Sequence, residues 1–120
     1  MLTLTVERIE PDIHVLKLAG RLGIGSSGQE LQWKVEELLG KKEKKVVMDF
    51  TDLKYIDSTG LGIVVFCSGK LSESGGQLRV VGANPTIRNL FRITRIEKVM
   101  NLDDTLEAAL AGLAAGKAED

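Results

Sequence analysis

Lys45-Val46-Val47-Met48-Asp49-Phe50, then Thr51-Asp52-Leu53-Lys54-Tyr55-Ile56, then Asp57-Ser58-Thr59-Gly60-Leu61-Gly62 is the stretch whose reading decides the fold. The first six residues have the composition of a buried strand and the next six read as a connecting loop. The last six place an acid and two hydroxyls where an apolar, glycine-containing helix begins. Backbone N–H groups at a helix start lack intrahelical partners, and Asp, Ser and Thr side chains are the usual groups that satisfy them. Ser58 therefore stands at a solvent-facing helix terminus, either as part of a cap or as a phosphoacceptor. Phosphate there would add roughly −1.5 to −2 charges beside Asp57 and change what can dock.

Working outward, Leu2, Leu4 and Val6 alternate with polar residues, and Ile13, Val15, Leu16 and Leu18 follow after Glu10-Pro11-Asp12, which predicts two strands joined by a tight turn. Residues 20–25 break that pattern. Ser27-Gly28-Gln29-Glu30 has capping-box spacing, with Ser27 at the N-cap, and predicts a helix to about Leu39. The helix from Ser58 is expected to reach about Glu73, where Gly75-Gly76 ends it before a strand at Leu78-Arg79-Val80-Val81. Asn84-Pro85 opens a short third helix with Ile87, Leu90 and Phe91 inward. Val99-Met100-Asn101-Leu102 is the expected last strand, and Asp103-Asp104 the start of a helix carrying Leu106, Ala109, Leu110 and Leu113. The order ββαβαβαβα implies an α/β fold with a mostly parallel mixed sheet and right-handed crossovers. The domain is expected to span residues 1–114, with 115–120 as a frayed tail.

With 120 residues, 43% of them hydrophobic and 28% charged, the chain is one ordinary domain whose core needs neither disulfide nor metal. Its single cysteine, Cys67, sits within an apolar helix as an inert thiol and suits a reducing cytoplasm. The longest apolar run is too short to cross a bilayer, which argues against membrane insertion. The N-terminus lacks a basic segment followed by an apolar one. Sixteen basic against seventeen acidic residues leave a net charge of −1, which gives no reason to expect a nucleic-acid partner.

The second helix has two apolar sides. At 100° per residue, Leu61, Val64, Val65, Ser68 and Leu71 form one stripe, while Thr59, Ile63 and Phe66 fall opposite. Such a helix is either buried all round or offers a surface to a partner, and Gly62 permits close approach of another backbone. Trp33 lies across the first helix from Leu31, Val35, Leu38 and Leu39, so it is expected outside, as a contact for a second copy or a partner or as a lid on a nearby loop. Arg88, Arg92 and Arg95 share a face if the third helix reaches that far.

Catalytic constellations are scarce. The sequence has one histidine, His14, within the second strand, and Ser58 lacks the Gly-x-Ser-x-Gly context of a nucleophile elbow. Asp57-Ser58-Thr59-Gly60 occurs once, so no aspartic dyad can form. Gly60-Leu61-Gly62 is no dinucleotide fingerprint, and Gly69-Lys70 lacks the upstream glycine of a P-loop. Asp49 at a strand end has the position of a receiver's phosphorylated acid, but the first two strands end without the acidic pair that would hold a divalent ion. Asp49, Asp52 and Asp57 fit loop and cap roles better than a metal site, and no cofactor is expected.

The ordered set of strand, acid, hydroxyls and apolar helix resembles the STAS domain of the anti-sigma factor antagonists, in which the Ser directly after the Asp of a D-S-[ST]-G-L-G motif is phosphorylated. The resemblance implies Ser58 as phosphoacceptor and Asp57, Ser58, Thr59, Gly60, Gly62, Ile63 and Phe66 as the partner-binding surface. It implies an anti-sigma factor that is itself an ATP-dependent serine kinase as partner, a phosphatase that resets Ser58, and a ligand-and-substrate role in place of catalysis. The alternative it leaves is a STAS subunit of a membrane lipid-transport or other complex, where the same face docks permanently. Members often carry an acid after Gly-x-[LI]; here Gly20-Arg21-Leu22 is followed by Gly23, which touches partner choice through that loop.

Overall fold

In the computed structural model, which describes residues 2–24, 26–98 and 100–116, the strands are β1 (Leu2–Ile9), β2 (Ile13–Leu22), β3 (Lys45–Ile56), β4 (Gln77–Val81) and β5 (Asn101–Asp103). The helices are α1 (Ser26–Gly40), α2 (Ser58–Glu73), α3 (Pro85–Ile93) and α4 (Leu106–Gly116), with a short 3₁₀ turn at Ile96–Lys98. The order is the expected ββαβαβαβα. The sheet runs β1-β2-β3-β4-β5, antiparallel between β1 and β2 and parallel elsewhere. Hairpin partners can reverse through a tight turn, whereas each parallel pair needs a helical crossover.

Two cores lie on opposite faces of the sheet. Leu16, Leu18, Leu22, Met48, Phe50, Leu53 and Ile56 meet Leu31, Val35 and Leu38 of α1, Leu61, Val64, Cys67 and Leu71 of α2, and Ile87 and Phe91 of α3. On the other face Ile13, Val15, Val47 and Val81 meet Ala109 and Leu113 of α4. Phe50 and Phe91 pack edge to face with centroids 6.3 Å apart. A Cβ at Gly112 would collide with the Arg79 guanidinium, so α4 comes down on the half-buried pair in which Arg79 Nε donates to Asp103 Oδ2 at 2.7 Å.

Several expectations change. Residues 51–56 are not a loop: β3 continues through them beside β2, pairing Ala19 with Asp52, Gly20 with Leu53, Arg21 with Tyr55 and Leu22 with Ile56. The register shifts twice there, so inward residues come at Phe50, Leu53 and Ile56, every third position, and the alternation that marks a strand is lost. Gly20, with φ of 101°, supplies the backbone the irregularity needs, and β2 accordingly runs on to Leu22. α1 begins at Ser26, so Ser27 lies inside its first turn and is not the N-cap; the preceding Gly25 lies outside the described residues. α3 stops at Ile93, and Arg95, with φ of 65°, leaves the face that holds Arg88 and Arg92.

The last strand starts at Asn101, with Val99 outside the described residues. Asp103 belongs to that strand, opposite Val81 in register and ion-paired with Arg79, and α4 is opened by Thr105, whose hydroxyl accepts from Ala108 N–H at 3.1 Å. A hydroxyl cap replaces the expected acidic one because Asp103 is engaged in the ion pair. α4 is formed through Gly116, and residues 117–120 lie outside the described ones.

Candidate functional site

At the C-terminal end of β3 the chain leaves Ile56, caps a helix with Asp57 and enters α2 at Ser58. Asp57 is extended (φ −108°, ψ −176°), and its Oδ1 accepts from Gly60 N–H at 2.9 Å. That bond satisfies one of the orphan donors of the first turn. Ser58 takes the first helical position with its side chain exposed, and Thr59 is exposed beside it. Of the two readings open for the hydroxyl, capping falls to Asp57. Ser58 is left at the surface.

The turn is fastened to the end of β2. Asp57 N–H donates to Leu22 O at 3.2 Å, and Ile24 N–H donates to Asp57 Oδ2 at 3.3 Å. A Cβ at Gly60 would run into the Leu22 carbonyl, and one at Gly23 would stand 2.7 Å from Asp57 Cγ. Both glycines are thus close-approach positions. These bonds hold the Asp57 carboxyl below its ordinary value: the Gly60 N–H contributes most, partial burial opposes it, and the Ile24 N–H adds to the lowering.

Along α2, Gly60, Leu61, Val64, Cys67 and Leu71 face the core, with Val65 and Ser68 half-buried at its margin. Burial pushes the Cys67 thiol up to about 12. On the other side Gly62 is exposed, and a Cβ there would meet nothing within 4 Å beyond its chain neighbours and its own helix backbone. Phe66 is 41% exposed, with Lys70 Nζ 5.6 Å from its ring centroid. Ile63 is half-buried because it runs beneath Gly28 at the start of α1. So the seven residues marked from the sequence meet at one pole. Thr59, Gly62 and Phe66 form its open face, Asp57 and Gly60 hold the turn, and Ile63 joins α2 to α1. Trp33 is 60% exposed on α1.

Ile24, 84% exposed, also stands at this pole, and the sequence reading does not mark it. Its sequence signal was an aliphatic residue between glycines, in a segment read as pattern-breaking.

The remaining constellations do not assemble. His14 stands on β2 opposite Val46, eight strand residues from Leu22, so roughly 26 Å of sheet separates it from the Ser58 turn. Its Nδ1 instead lies 3.7 Å from Glu43 Oε1. Asp49 turns back on its own strand, accepting from Thr51 N–H at 2.9 Å and Thr51 O–H at 2.6 Å. Among the described residues no three His, Cys, Asp or Glu side chains gather as metal ligands. No helix of the described residues is long and apolar enough to cross a membrane.

The family model described as the STAS domain matches residues 5–109. The chain belongs to that family. A Thermotoga maritima protein provisionally named an anti-sigma factor antagonist is 26% identical over 103 residues, covering 86% of this chain and 91% of the relative. The crystal structure of a Thermotoga maritima protein provisionally given the same description superposes with a TM-score of 0.85 at 23% identity, over 92% of this chain and 94% of that one. The anti-sigma F factor antagonist of Paenibacillus polymyxa is 24% identical over 111 residues, or 88% of this chain and 94% of its own. The antagonist SpoIIAA, solved in its unphosphorylated form, matches with a TM-score of 0.74 at 19% identity over 95% and 99% of the two chains. SpoIIAA has also been solved phosphorylated, and that form matches with a TM-score of 0.72 at 21% identity over 91% and 97%. At these identities the superpositions establish the STAS fold. The relatives are named as regulators.

Proposed function

We propose that this STAS domain is a cytoplasmic anti-sigma factor antagonist, bound to an anti-sigma serine kinase when Ser58 is free and released when Ser58 is phosphorylated. The carrying observation is the division of labour at the head of α2, where Asp57 caps and Ser58 is exposed beside the open face of Thr59, Gly62 and Phe66. A hydroxyl that has no part in closing the helix can be modified without unfolding it. Phosphate at that position is tolerated by the helix terminus, but a docking partner would have to bury a hydrated dianion next to Asp57, at a cost of several kcal/mol unless it is paired. Each 1.4 kcal/mol is about tenfold in affinity. The domain acts as ligand and substrate, and a phosphatase resets it.

The test is direct. Each histidine-kinase-like serine kinase of the source genome is purified and incubated with the protein and labelled ATP. The expected result is label on Ser58 with one of them, lost in Ser58→Ala, and binding of that kinase weakened by Ser58→Asp. Binding indifferent to Ser58→Asp with no label would overturn the reading in favour of a permanent docking module.

A further inference from the structure

Ile24 is 84% exposed and belongs to neither core cluster of the described residues. Exposed loop residues are ordinarily free to move, but the backbone leading into this one is held. Its own N–H is bound by Asp57 Oδ2, and the residue before it, Gly23, lies against the same carboxylate with no room for a Cβ. Upstream, the Leu22 carbonyl takes the Asp57 N–H, and downstream Gly28 sits on the Ile63 side chain of α2. The carboxylate that caps the phosphoacceptor helix therefore also fixes the backbone that presents Ile24.

We infer that Ile24 is an apolar anchor of the Ser58 docking surface, positioned there by Asp57, and that the partner protein receives it in an apolar pocket. The inference rests on the reading of Ser58 as the partner-binding pole. The occupant is argued from continuity: Ile24 is tied directly to the residue preceding Ser58, so a protein covering Ser58, Thr59 and Gly62 reaches Ile24 without a second contact region. An anchor on a backbone already held in place loses little conformational freedom on binding, which favours affinity. The charge-neutral side chain also makes this part of the contact insensitive to salt, unlike an acid at the same loop.

The experiment titrates the full, unphosphorylated chain against the serine kinase that labels Ser58, comparing wild type with Ile24→Ala, Ile24→Asp and Ile24→Val. Loss of the buried side chain is expected to weaken binding about tenfold or more in Ile24→Ala. Ile24→Asp is expected to lose roughly a hundredfold and Ile24→Val to stay within about fivefold of wild type. All three should melt with wild type, because the side chain touches no core. Unchanged affinity in Ile24→Ala and Ile24→Asp overturns the anchor while leaving the Ser58 reading intact. So does a change confined to self-association by sedimentation, which would make the occupant a second copy. Failure of the wild type to bind any such kinase overturns both.

Discussion

Gly23 lies against the carboxylate of Asp57, so closely that a Cβ built there would stand 2.8 Å from Oδ1. The end of β2 and the start of α2 are thereby interlocked across more than thirty residues of chain, and the lock depends on the absence of a side chain. The departure from the family's frequent acid at this loop has a physical consequence: a carboxylate on Gly23 would meet Asp57 both as bulk and as like charge. Gly23→Ala should displace Asp57 from Gly60 N–H and cost about 1 kcal/mol, the usual worth of an N-cap. For a domain of this size that is about 4 °C in Tm. Gly23→Asp should cost more, with the excess shrinking as salt is raised. Thermal melts at two ionic strengths measure both, and wild-type melting of Gly23→Asp would contradict the interlock.

Ser58→Ala and Ser58→Asp should melt within a few degrees of wild type, since the exposed side chain contributes no cap and an acid in the first helical turn is favoured by about 0.3–1 kcal/mol. Their binding should diverge: Ser58→Ala stays bound to the kinase in the presence of ATP, whereas Ser58→Asp binds weakly. Calorimetric titration alongside a melt separates the two effects. Collapse of the fold in Ser58→Asp would show that the hydroxyl is structural after all.

Asp57 sets a pH dependence with a definite sign. Its folded carboxyl is held below the unfolded value, first by the Gly60 N–H, so the folded state prefers the ionised form. The stabilisation is complete above the unfolded pKa of about 3.9 and disappears as pH falls through the depressed folded value. Asp57→Asn keeps an acceptor for Gly60 but cannot titrate. Denaturant midpoints taken below about pH 4 should therefore fall less steeply in Asp57→Asn than in wild type, and parallel curves would refute the assignment.

Much of this was legible in the chain. The caps at Asp57 and Asn84, the glycines ending α2 and the buried stripe of Leu61, Val64 and Leu71 each depend on residues within one or two helical turns, so local spacing reveals them. What was hidden depends on distant partners. The strand at residues 51–56 is concealed by two register shifts against β2. The helix after β5 starts at Thr105 because Asp103 is claimed by Arg79, 24 residues away. Ile24 is tied to the head of α2 by a bond to Asp57 that no spacing rule contains.

Cys67 offers a reporter of opening. It is fully buried on the core side of α2, and its thiol is pushed up to about 12, so the thiolate that reacts is scarce and shielded. A disulfide reagent at pH 8 should modify the native protein only through global or subglobal unfolding, at a rate that tracks stability across the Gly23 and Asp57 variants. Rapid labelling of the native wild type would mean that α2 opens independently of the sheet beneath it.

Phe66 and Trp33 are both exposed aromatics, yet they should behave differently. Phe66 shares α2 with Ser58 and stands one turn beyond Gly62, whereas Trp33 is on α1, pointing away from Leu31, Val35 and Leu38. If the partner lies along α2, truncating Phe66 removes an aromatic from the middle of the contact, where such losses typically cost about 2 kcal/mol or more, near thirtyfold in affinity. Phe66→Ala should thus weaken kinase binding while lowering Tm by no more than a few degrees. Trp33→Ala should leave kinase affinity unchanged and act, if at all, on self-association, read by sedimentation at several concentrations. Equal loss of kinase affinity in both variants would place the partner across α1 as well, and unchanged affinity in Phe66→Ala would remove α2 from the docking surface altogether.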